Sequence, residues 1–132
     1  MVVDTSALLA VYLDEPDSGR FETALVNAPA AFISAGTLLE AAIVAEARHG
    51  KAGAVELDRL LRRLALITVA VDAEQVEAAR LAFRKYGRGR HPAGLNYGDC
   101  FAYALAVTSV EPLLFKGDDF SKTDIVDALA EG

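Results

Sequence analysis

The sequence predicts an α/β fold in which helices cover both faces of a central parallel sheet, in three layers. Short apolar segments rich in β-branched residues alternate along the chain with longer segments of helical periodicity. Connections of helix length between successive strands favour parallel pairing with right-handed crossovers. The 132 residues, 53% of them hydrophobic, are enough for a core without disulfides, and we expect one domain over residues 1–132.

The first half of the chain is predicted from its apolar segments and the breakers between them. Pro16 and Pro29 interrupt helical periodicity, and Gly50 and Gly53 close an Ala- and Leu-rich helix. The predicted elements are a strand at 1–3, helices at 6–13 and 18–26, a strand at 31–34, and helices at 37–49 and 55–66.

The second half contains the clearest strand, residues 67–71, which is rich in β-branched side chains. Glycines and Pro92 predict a loop at 87–94, between two helical segments. The predicted elements are a strand at 67–71, helices at 73–86 and 97–109, a strand at 112–115, and a short helical tail.

Composition excludes several classes of protein. No apolar segment approaches the roughly 18 residues of a membrane span, and the start lacks the basic region of a secretory signal. Cys100, the only cysteine, excludes an internal disulfide and a thiolate zinc site, and it fits a reducing cytoplasm. A formal charge of −6 argues against a simple basic nucleic-acid coat.

Three acidic residues stand alone in uncharged segments. Asp4 is the only charge within residues 1–13, Glu40 the only one within 35–45, and Asp99 the only one within 92–110. Burying an unpaired carboxylate is costly, so such residues need a cation, a hydrogen-bond shell or a raised pKa. With few basic residues nearby in sequence, a bound metal explains all three. A further pair, Asp118 and Asp119, follows the last predicted strand.

The predicted positions of these acids converge. Asp4 ends the first strand and Asp118 follows the last, and open α/β sheets bind ligands beyond the carboxyl ends of their strands. Glu40 lies about two turns into its helix, and Asp99 lies in the first turn of another. All-oxygen ligation suits Mg²⁺, with Mn²⁺ expected to substitute, rather than zinc.

Each acid also has a structural explanation. Asp4 could cap the helix that follows it, and Asp99 could be favoured by the helix dipole. Asp118 or Asp119 could be a turn or cap residue. Glu40 has no cap position available, and its structural alternative is an ion pair with a distant arginine. A purely structural role for all four acids together is much less probable than a structural role for any single one.

The acidic positions and their surroundings resemble the PIN-domain family, and more narrowly the VapC-type toxins of bacterial toxin–antitoxin pairs. The segments that carry the resemblance are 2–7 (VVDTSA), 39–40 (LE), 95–100 (LNYGDC) and 114–120 (LFKGDDF). They occur in order over essentially the whole chain. The first segment alone is weakly specific, whereas the four together are specific.

The resemblance implies roles for the acidic residues. Asp4, Glu40 and Asp99 match the first three acidic positions of the family. The spacing to the following phenylalanine does not choose cleanly between Asp118 and Asp119 as the fourth, and we favour Asp118, with Asp119 as a cap. Asp4 and Asp99 are then expected to contact the metal directly, with Glu40 and Asp118 completing the cluster.

The resemblance also implies supporting residues and partners. Thr5 or Ser6 would orient Asp4 by hydrogen bonding, and Asn96 would brace the loop before Asp99. Family members cleave RNA, typically as homodimers held silent by a VapB-type antitoxin. We expect Mg²⁺-dependent hydrolysis that leaves 5′-phosphate and 3′-hydroxyl ends, because bound metals activate water and stabilise the leaving oxygen.

A basic group at the end of the predicted helix 73–86 and in the loop after it offers contacts to RNA. Its members, grouped around Tyr86, are Arg84, Lys85, Arg88, Arg90 and His91. Such side chains bind phosphate, and Tyr86 could stack on a base. The structural alternative is a solvated helix end, where basic residues are favoured. Lys116, beside the acidic rim, could pair with a carboxylate or a phosphate.

Two other function classes share parts of the pattern. A haloacid-dehalogenase-like phosphotransferase also has Asp after its first strand, but normally has a second aspartate where this chain has Ser6. A phospho-receiver signalling domain would use Asp72 as phosphate acceptor and Lys116 after its last strand, which leaves Glu40 and Asp99 unexplained. A binding module without catalysis is a third alternative, but no carboxylate is missing.

Overall fold

Helices and short strands alternate along residues 1–130, the part of the chain that the structure, a computed structural model, describes. Glu131 and Gly132, the end of the predicted domain, lie outside the described residues. The elements are β1 (Val2–Val3), α1 (Thr5–Tyr12), α2 (Ser18–Asn27), β2 (Phe32–Ser34), α3 (Ala35–Arg63), β3 (Ile67–Val69), α4 (Ala73–Tyr86), α5 (Tyr97–Ser109), β4 (Leu113–Leu114) and a 3₁₀ turn, Phe120–Lys122.

The strands form one parallel sheet in the order β3-β2-β1-β4. Because side chains alternate between the two faces of a strand, neighbouring residues enter different cores. Val3 and Leu114 pack with α1, α2 and α3, whereas Val2 and Leu113 pack with α4 and α5. The predicted three-layer α/β/α fold is therefore confirmed.

The prediction that a helix ends at Gly50 is confirmed, because α3 consists of two helical segments that meet in a kink at this residue, whose φ of 61° and ψ of −148° are not helical. The predicted gap before a second helix at 55–66 was too long. Gly53 does not end a helix but lies buried inside one. The chain re-enters the helix directly after the kink because Leu57 and Leu60 then face the core.

The remaining predicted elements are close to those observed, although the strands are shorter. The predicted helical tail is the single 3₁₀ turn, and the chain then returns to the sheet edge, where Asp127 bridges to Leu113. Among the described residues, no helix has the length and apolar character needed to cross a membrane.

Candidate active site

Asp4 lies directly after β1, at the start of α1, and its side chain is only 4% exposed. Its Oδ2 caps the helix by accepting hydrogen bonds from the Ser6 amide at 3.0 Å and the Ser6 hydroxyl at 2.6 Å. The Ser6 hydroxyl in turn accepts from the Lys116 amide at 2.9 Å, which ties the end of β4 to this site. The capping explanation of Asp4 thus holds for one oxygen, and within residues 1–130 no hydrogen bond reaches Oδ1.

Glu40, half-buried on α3, receives its hydrogen bond from a hydroxyl rather than from an arginine. Thr5 Oγ1 donates to Glu40 Oε1 at 2.6 Å, so Thr5 holds Glu40 while Ser6 holds Asp4. The other face of the carboxylate lies against α5: a Cβ built on Gly98 would be 2.4 Å from Glu40 Oε2. No ion pair to Glu40 forms within the described chain, so the alternative of a structural salt bridge was wrong.

Asp99 is fixed by a reciprocal capping box at the start of α5. The Asp99 amide donates to Asn96 Oδ1 at 2.9 Å, and the Asn96 amide donates to Asp99 Oδ2 at 3.0 Å. Each side chain thereby satisfies a backbone N–H that the helix leaves free. Asn96 braces the loop as expected, and Asp99 keeps Oδ1 without a hydrogen bond from residues 1–130.

The electrostatics link the three carboxylates. The pKa of Asp4 is raised from 3.8 to about 6: burial raises it most, the Ser6 hydrogen bonds lower it, and the charges of Asp99 and Glu40 add to the rise. Burial also raises the pKa of Asp99, to which the charges of Asp119 and Glu40 add. These acids therefore lie in one field of negative potential, which a cation would relieve.

Asp118 and Asp119, the two candidates for the fourth acid, differ in their effect on Asp99. Asp119 stands at the N-cap position of the 3₁₀ turn, as expected of a cap residue, but its side chain makes no capping hydrogen bond. Its charge acts on Asp99, whereas Asp118 contributes a backbone carbonyl that accepts from Ser121 Oγ at 2.6 Å. Gly117, with φ of 98°, turns the loop just before this pair.

The donor set fits a hard divalent cation. Asp4, Glu40 and Asp99 each use one oxygen to hold their position and leave the other without a hydrogen bond from the described residues. Oxygen-only donors of this kind suit Mg²⁺ or Mn²⁺. Within residues 1–130, however, no three acidic, histidine or cysteine side chains are grouped closely enough to ligate one ion. Simultaneous ligation by three of them therefore requires side-chain movement.

The predicted arginines and the lysine lie at the end of α4 and in the loop beyond it, and all are exposed. Arg84, Lys85, Arg88 and Arg90 form no ion pair within the described chain. Lys116 differs, because its ammonium pairs with Glu15 at 2.5 Å and Asp17 at 3.0 Å.

An open groove of about 960 Å³ runs between α4 and α5. Its lining combines aromatic and basic side chains, among them Phe83, Tyr97, Phe101, Arg84 and Arg88. The lining also includes Asn96, whose side chain accepts from the Asp99 amide, and Cys100, which follows Asp99, so the groove lies next to the first turn of α5.

The aromatic residue chosen from the sequence was wrong. Tyr86 is 6% exposed and packs in the core, so it cannot stack on a base, whereas Tyr97 is 80% exposed at the mouth of the groove. The helical phase of α4, which places Ala82 and Tyr86 on one buried face, was a signal that could have excluded Tyr86. Cys100 is a buried core residue, as expected.

Two kinds of sequence comparison agree on a family. The model of the PIN domain family matches residues 1–126. A ribonuclease VapC of Mycolicibacterium smegmatis is 56% identical over 125 residues, which cover 95% of this chain and 97% of that protein. Ribonuclease VapC30 of Mycobacterium tuberculosis is 57% identical over 125 residues, which cover 95% of each chain.

Solved structures share the fold. The chain is similar to VapC20 of Mycobacterium tuberculosis, described as a sarcin–ricin loop cleaving toxin, with a TM-score of 0.76, 19% identity and 96% of each chain covered. It is also similar to VapBC2 of Rickettsia felis bound to a promoter DNA fragment, with a TM-score of 0.73, 17% identity, and 96% of this chain and 94% of that chain covered. These likenesses support the three-layer arrangement described above.

Proposed function

Because the chain belongs to the PIN domain family, we propose that it acts as a metal-dependent endoribonuclease, the toxin of a VapBC-like toxin–antitoxin pair. The observation that carries the proposal is the set of three carboxylates, each anchored through one oxygen, at the carboxyl ends of the strands. The ribonuclease names of relatives that are 56–57% identical over nearly the whole chain support the choice of reaction and substrate.

In this proposal Asp4 and Asp99 hold the principal cation, with Glu40 beside them. The fourth position goes to Asp119 in preference to Asp118, because the charge of Asp119 acts on Asp99. Mg²⁺, or Mn²⁺ in its place, supplies Lewis acidity that activates water and offsets the charge of the phosphodiester.

The surrounding residues keep the carboxylates in fixed directions. Ser6 and the Asn96 capping box orient Asp4 and Asp99, and Thr5 orients Glu40. A histidine base is not needed, because a bound metal would lower the pKa of the attacking water. His91 instead accepts from the Ala93 amide through Nδ1 at 3.0 Å. The expected products carry 5′-phosphate and 3′-hydroxyl ends.

We place the RNA strand along the groove between α4 and α5. Exposed Arg84 and Arg88 offer phosphate contacts, and exposed Tyr97 offers a stacking surface, a combination typical of single-strand binding. Lys85 and Arg90 lie nearby and would add positive potential. For Lys116, its ion pairs with Glu15 and Asp17 support a role in holding the loop between α1 and α2 rather than a phosphate contact.

The expected protein partners are a VapB-like antitoxin and a second copy of the chain. A toxin–antitoxin complex of Klebsiella pneumoniae shares the fold, with a TM-score of 0.70 and 18% identity. On α3, the apolar side chains of Leu39 and Ile43 are 61% and 57% exposed, one turn apart and on either side of Glu40 in sequence. Adjacent exposed apolar side chains are typical of protein interfaces, so this face supports a protein partner close to the acidic site.

Cleavage of total cellular RNA tests the proposal. The purified chain is incubated with RNA in Mg²⁺, in Mn²⁺ or in excess EDTA, and new 5′ ends are mapped by sequencing. Asp99→Asn, prepared identically, controls for contaminating ribonuclease and keeps the capping geometry, because asparagine can accept the same hydrogen bond. Discrete metal-dependent cuts absent from the variant support the proposal; identical cut patterns, or none in either metal, refute it.

The rival functions lose their structural basis. Ser6, where a phosphotransferase would have its second aspartate, instead donates to Asp4. Asp72, the acceptor that a receiver domain would need, caps α4 by accepting from the Gln75 amide at 2.9 Å. It follows β3, an edge strand separated from β1 by β2, and so it lies away from the acidic site.

A further inference from the structure

Gly98 lies in the first turn of α5, immediately before Asp99, and its backbone does not require glycine. Its φ lies outside the left-handed region, so an L-residue could adopt the same conformation. What is special is its neighbour: a Cβ built at this position would be 2.4 Å from Glu40 Oε2 and 2.8 Å from both Glu40 Cδ and Oε1. The missing side chain therefore leaves the space that the Glu40 carboxylate occupies.

The carboxylate of Glu40 is held on two sides. On one side Thr5 Oγ1 donates to Oε1 at 2.6 Å, and on the other side the carboxylate rests against the backbone of Gly98. Thr5 is adjacent to Asp4, and Gly98 is adjacent to Asp99. The two contacts therefore set Glu40 in the field of both neighbouring acids, consistent with its effect on the pKa values of Asp4 and Asp99.

We propose that Gly98 is a positioning residue of the acidic site: it admits the Glu40 carboxylate against the first turn of α5 and thereby fixes where Glu40 stands relative to Asp4 and Asp99. The inference rests on the proposed function. A methyl group at position 98 displaces the carboxylate rather than the helix, because the contacted atoms are the flexible end of a long side chain. The Thr5 hydrogen bond then stretches or breaks, and the site binds its cation less well.

Two other glycines give matched controls, because each is also the second residue of a helix. Gly19 in α2 has no atom within 4 Å of its built Cβ, so Gly19→Ala changes only the intrinsic preference of the helix. Gly36 in α3 faces the Phe101 ring, with Cγ at 2.6 Å, a group that cannot move without disturbing the packing of α3 on α5. Among these three glycines, Gly98 alone contacts a proposed functional group.

The experiment compares Gly98→Ala with Gly19→Ala and the unaltered chain. Thermal unfolding in EDTA reports folding, the rise in melting temperature with increasing Mn²⁺ reports metal affinity, and single-turnover RNA cleavage reports the reaction. For Gly98→Ala we expect an unchanged or higher melting temperature in EDTA, since alanine favours helix over glycine. Metal affinity and cleavage rate fall about 10- to 100-fold, the usual effect of disturbing a group that orients metal ligands. Gly19→Ala shows the same unchanged or higher melting temperature but keeps the metal affinity and cleavage rate of the unaltered chain.

A double mutant separates action through Glu40 from a general disturbance of α5. In a Glu40→Ala background, Gly98→Ala should cause no further loss of metal affinity or residual cleavage, because the displaced group is gone. A crystal structure of Gly98→Ala should show the carboxylate moved away from Thr5.

The proposal is overturned if Gly98→Ala matches Gly19→Ala in both affinity and rate, if its loss persists undiminished without Glu40, or if its crystal structure leaves Glu40 in place. Failure of the proposed function looks different, because the unaltered chain itself would then show no metal-dependent cleavage.

Discussion

Replacing Asp4 by asparagine should stabilise the metal-free protein while abolishing its activity. Asparagine can keep the cap, because its side-chain oxygen accepts from the Ser6 amide as the carboxylate does. It removes the charge, whose burial near Asp99 and Glu40 raises the pKa of Asp4 from 3.8 to about 6. Because the pKa is higher in the folded state than in the unfolded state, ionisation of Asp4 lowers the free energy of unfolding.

The structure sets the size of the effect. The rise from 3.8 to about 6 corresponds to about 3 kcal/mol of free energy of unfolding lost when Asp4 is ionised in both states. The weaker hydrogen bonds of an amide reduce the gain, so we expect the variant to be about 1–3 kcal/mol more stable at pH 7.5. For a chain of 132 residues this is a rise in melting temperature of about 4–11 °C.

The pH dependence gives the sign of the stability difference between Asp4→Asn and the unaltered chain. Below the unfolded pKa of 3.8 the acid is protonated in both states and contributes no difference. As pH rises through the interval up to about 6, the unaltered chain loses stability that the variant keeps, and above it the difference is constant. Urea unfolding in EDTA from pH 4 to pH 8 measures this. Asp58→Asn, which removes the same charge from an exposed position on α3, should show no such pH-dependent gain.

Metal should reverse the order of stability. At about 1,000 times its dissociation constant, a cation adds about 4.1 kcal/mol to a protein that binds it, and the unaltered chain should gain this while Asp4→Asn gains little. The reasoning is refuted if Asp4→Asn is less stable than the unaltered chain in EDTA at pH 7.5. A stability difference that does not change between pH 4 and pH 7 would refute it equally.

Three further substitutions test separate contacts. Thr5→Val removes the hydrogen bond to Glu40 at nearly constant volume, and single-turnover cleavage should fall about 10- to 100-fold; an unchanged rate would contradict a role for that bond. Tyr97→Ala should weaken binding of a non-cleavable single-stranded oligonucleotide by about 1–3 kcal/mol in fluorescence anisotropy without changing the melting temperature, whereas equal affinity, or conversion of a dimer to a monomer, would reassign the groove. Gly36→Ala should destabilise the fold by about 1–3 kcal/mol in urea unfolding, because its methyl group meets the Phe101 ring, and a stability gain would show that the ring moves freely.

The sequence could predict which acids belong to the site because an isolated charge in an apolar segment stands out against its neighbours. Asp4, Glu40 and Asp99 each have this signature, and the strand–helix order places them at one end of the sheet. The contacts that hold them could not be predicted in the same way. The hydrogen bond from Thr5 to Glu40 joins residues 35 positions apart, and the approach of Glu40 to Gly98 depends on how closely α3 packs on α5.

One prediction failed for a local reason, namely the direction of a side chain. Tyr86 lies among basic residues in sequence but on the buried face of α4, so its neighbours in the chain are not its neighbours in space. The choice between Asp118 and Asp119 stays a prediction, because it rests on spacing alone and a shift of one residue after Gly117 changes which side chain acts on Asp99. Composition and periodicity do not resolve a single-residue choice in a loop.

The three carboxylates divide their oxygens in the same way, although their partners are unrelated. One oxygen of Asp4 receives the hydrogen bonds of Ser6, one of Glu40 receives that of Thr5, and one of Asp99 closes the capping box. A cap alone would need neither the burial of Asp4 nor the mutual repulsion that raises the pKa values of Asp4 and Asp99. A cation site requires carboxylates that are fixed in direction and whose negative charge is not neutralised by the protein. The three acids meet both requirements. The same residual charge makes the metal-free fold weaker than it need be, so the stability gained by Asp4→Asn and the cleavage it loses should have one physical origin.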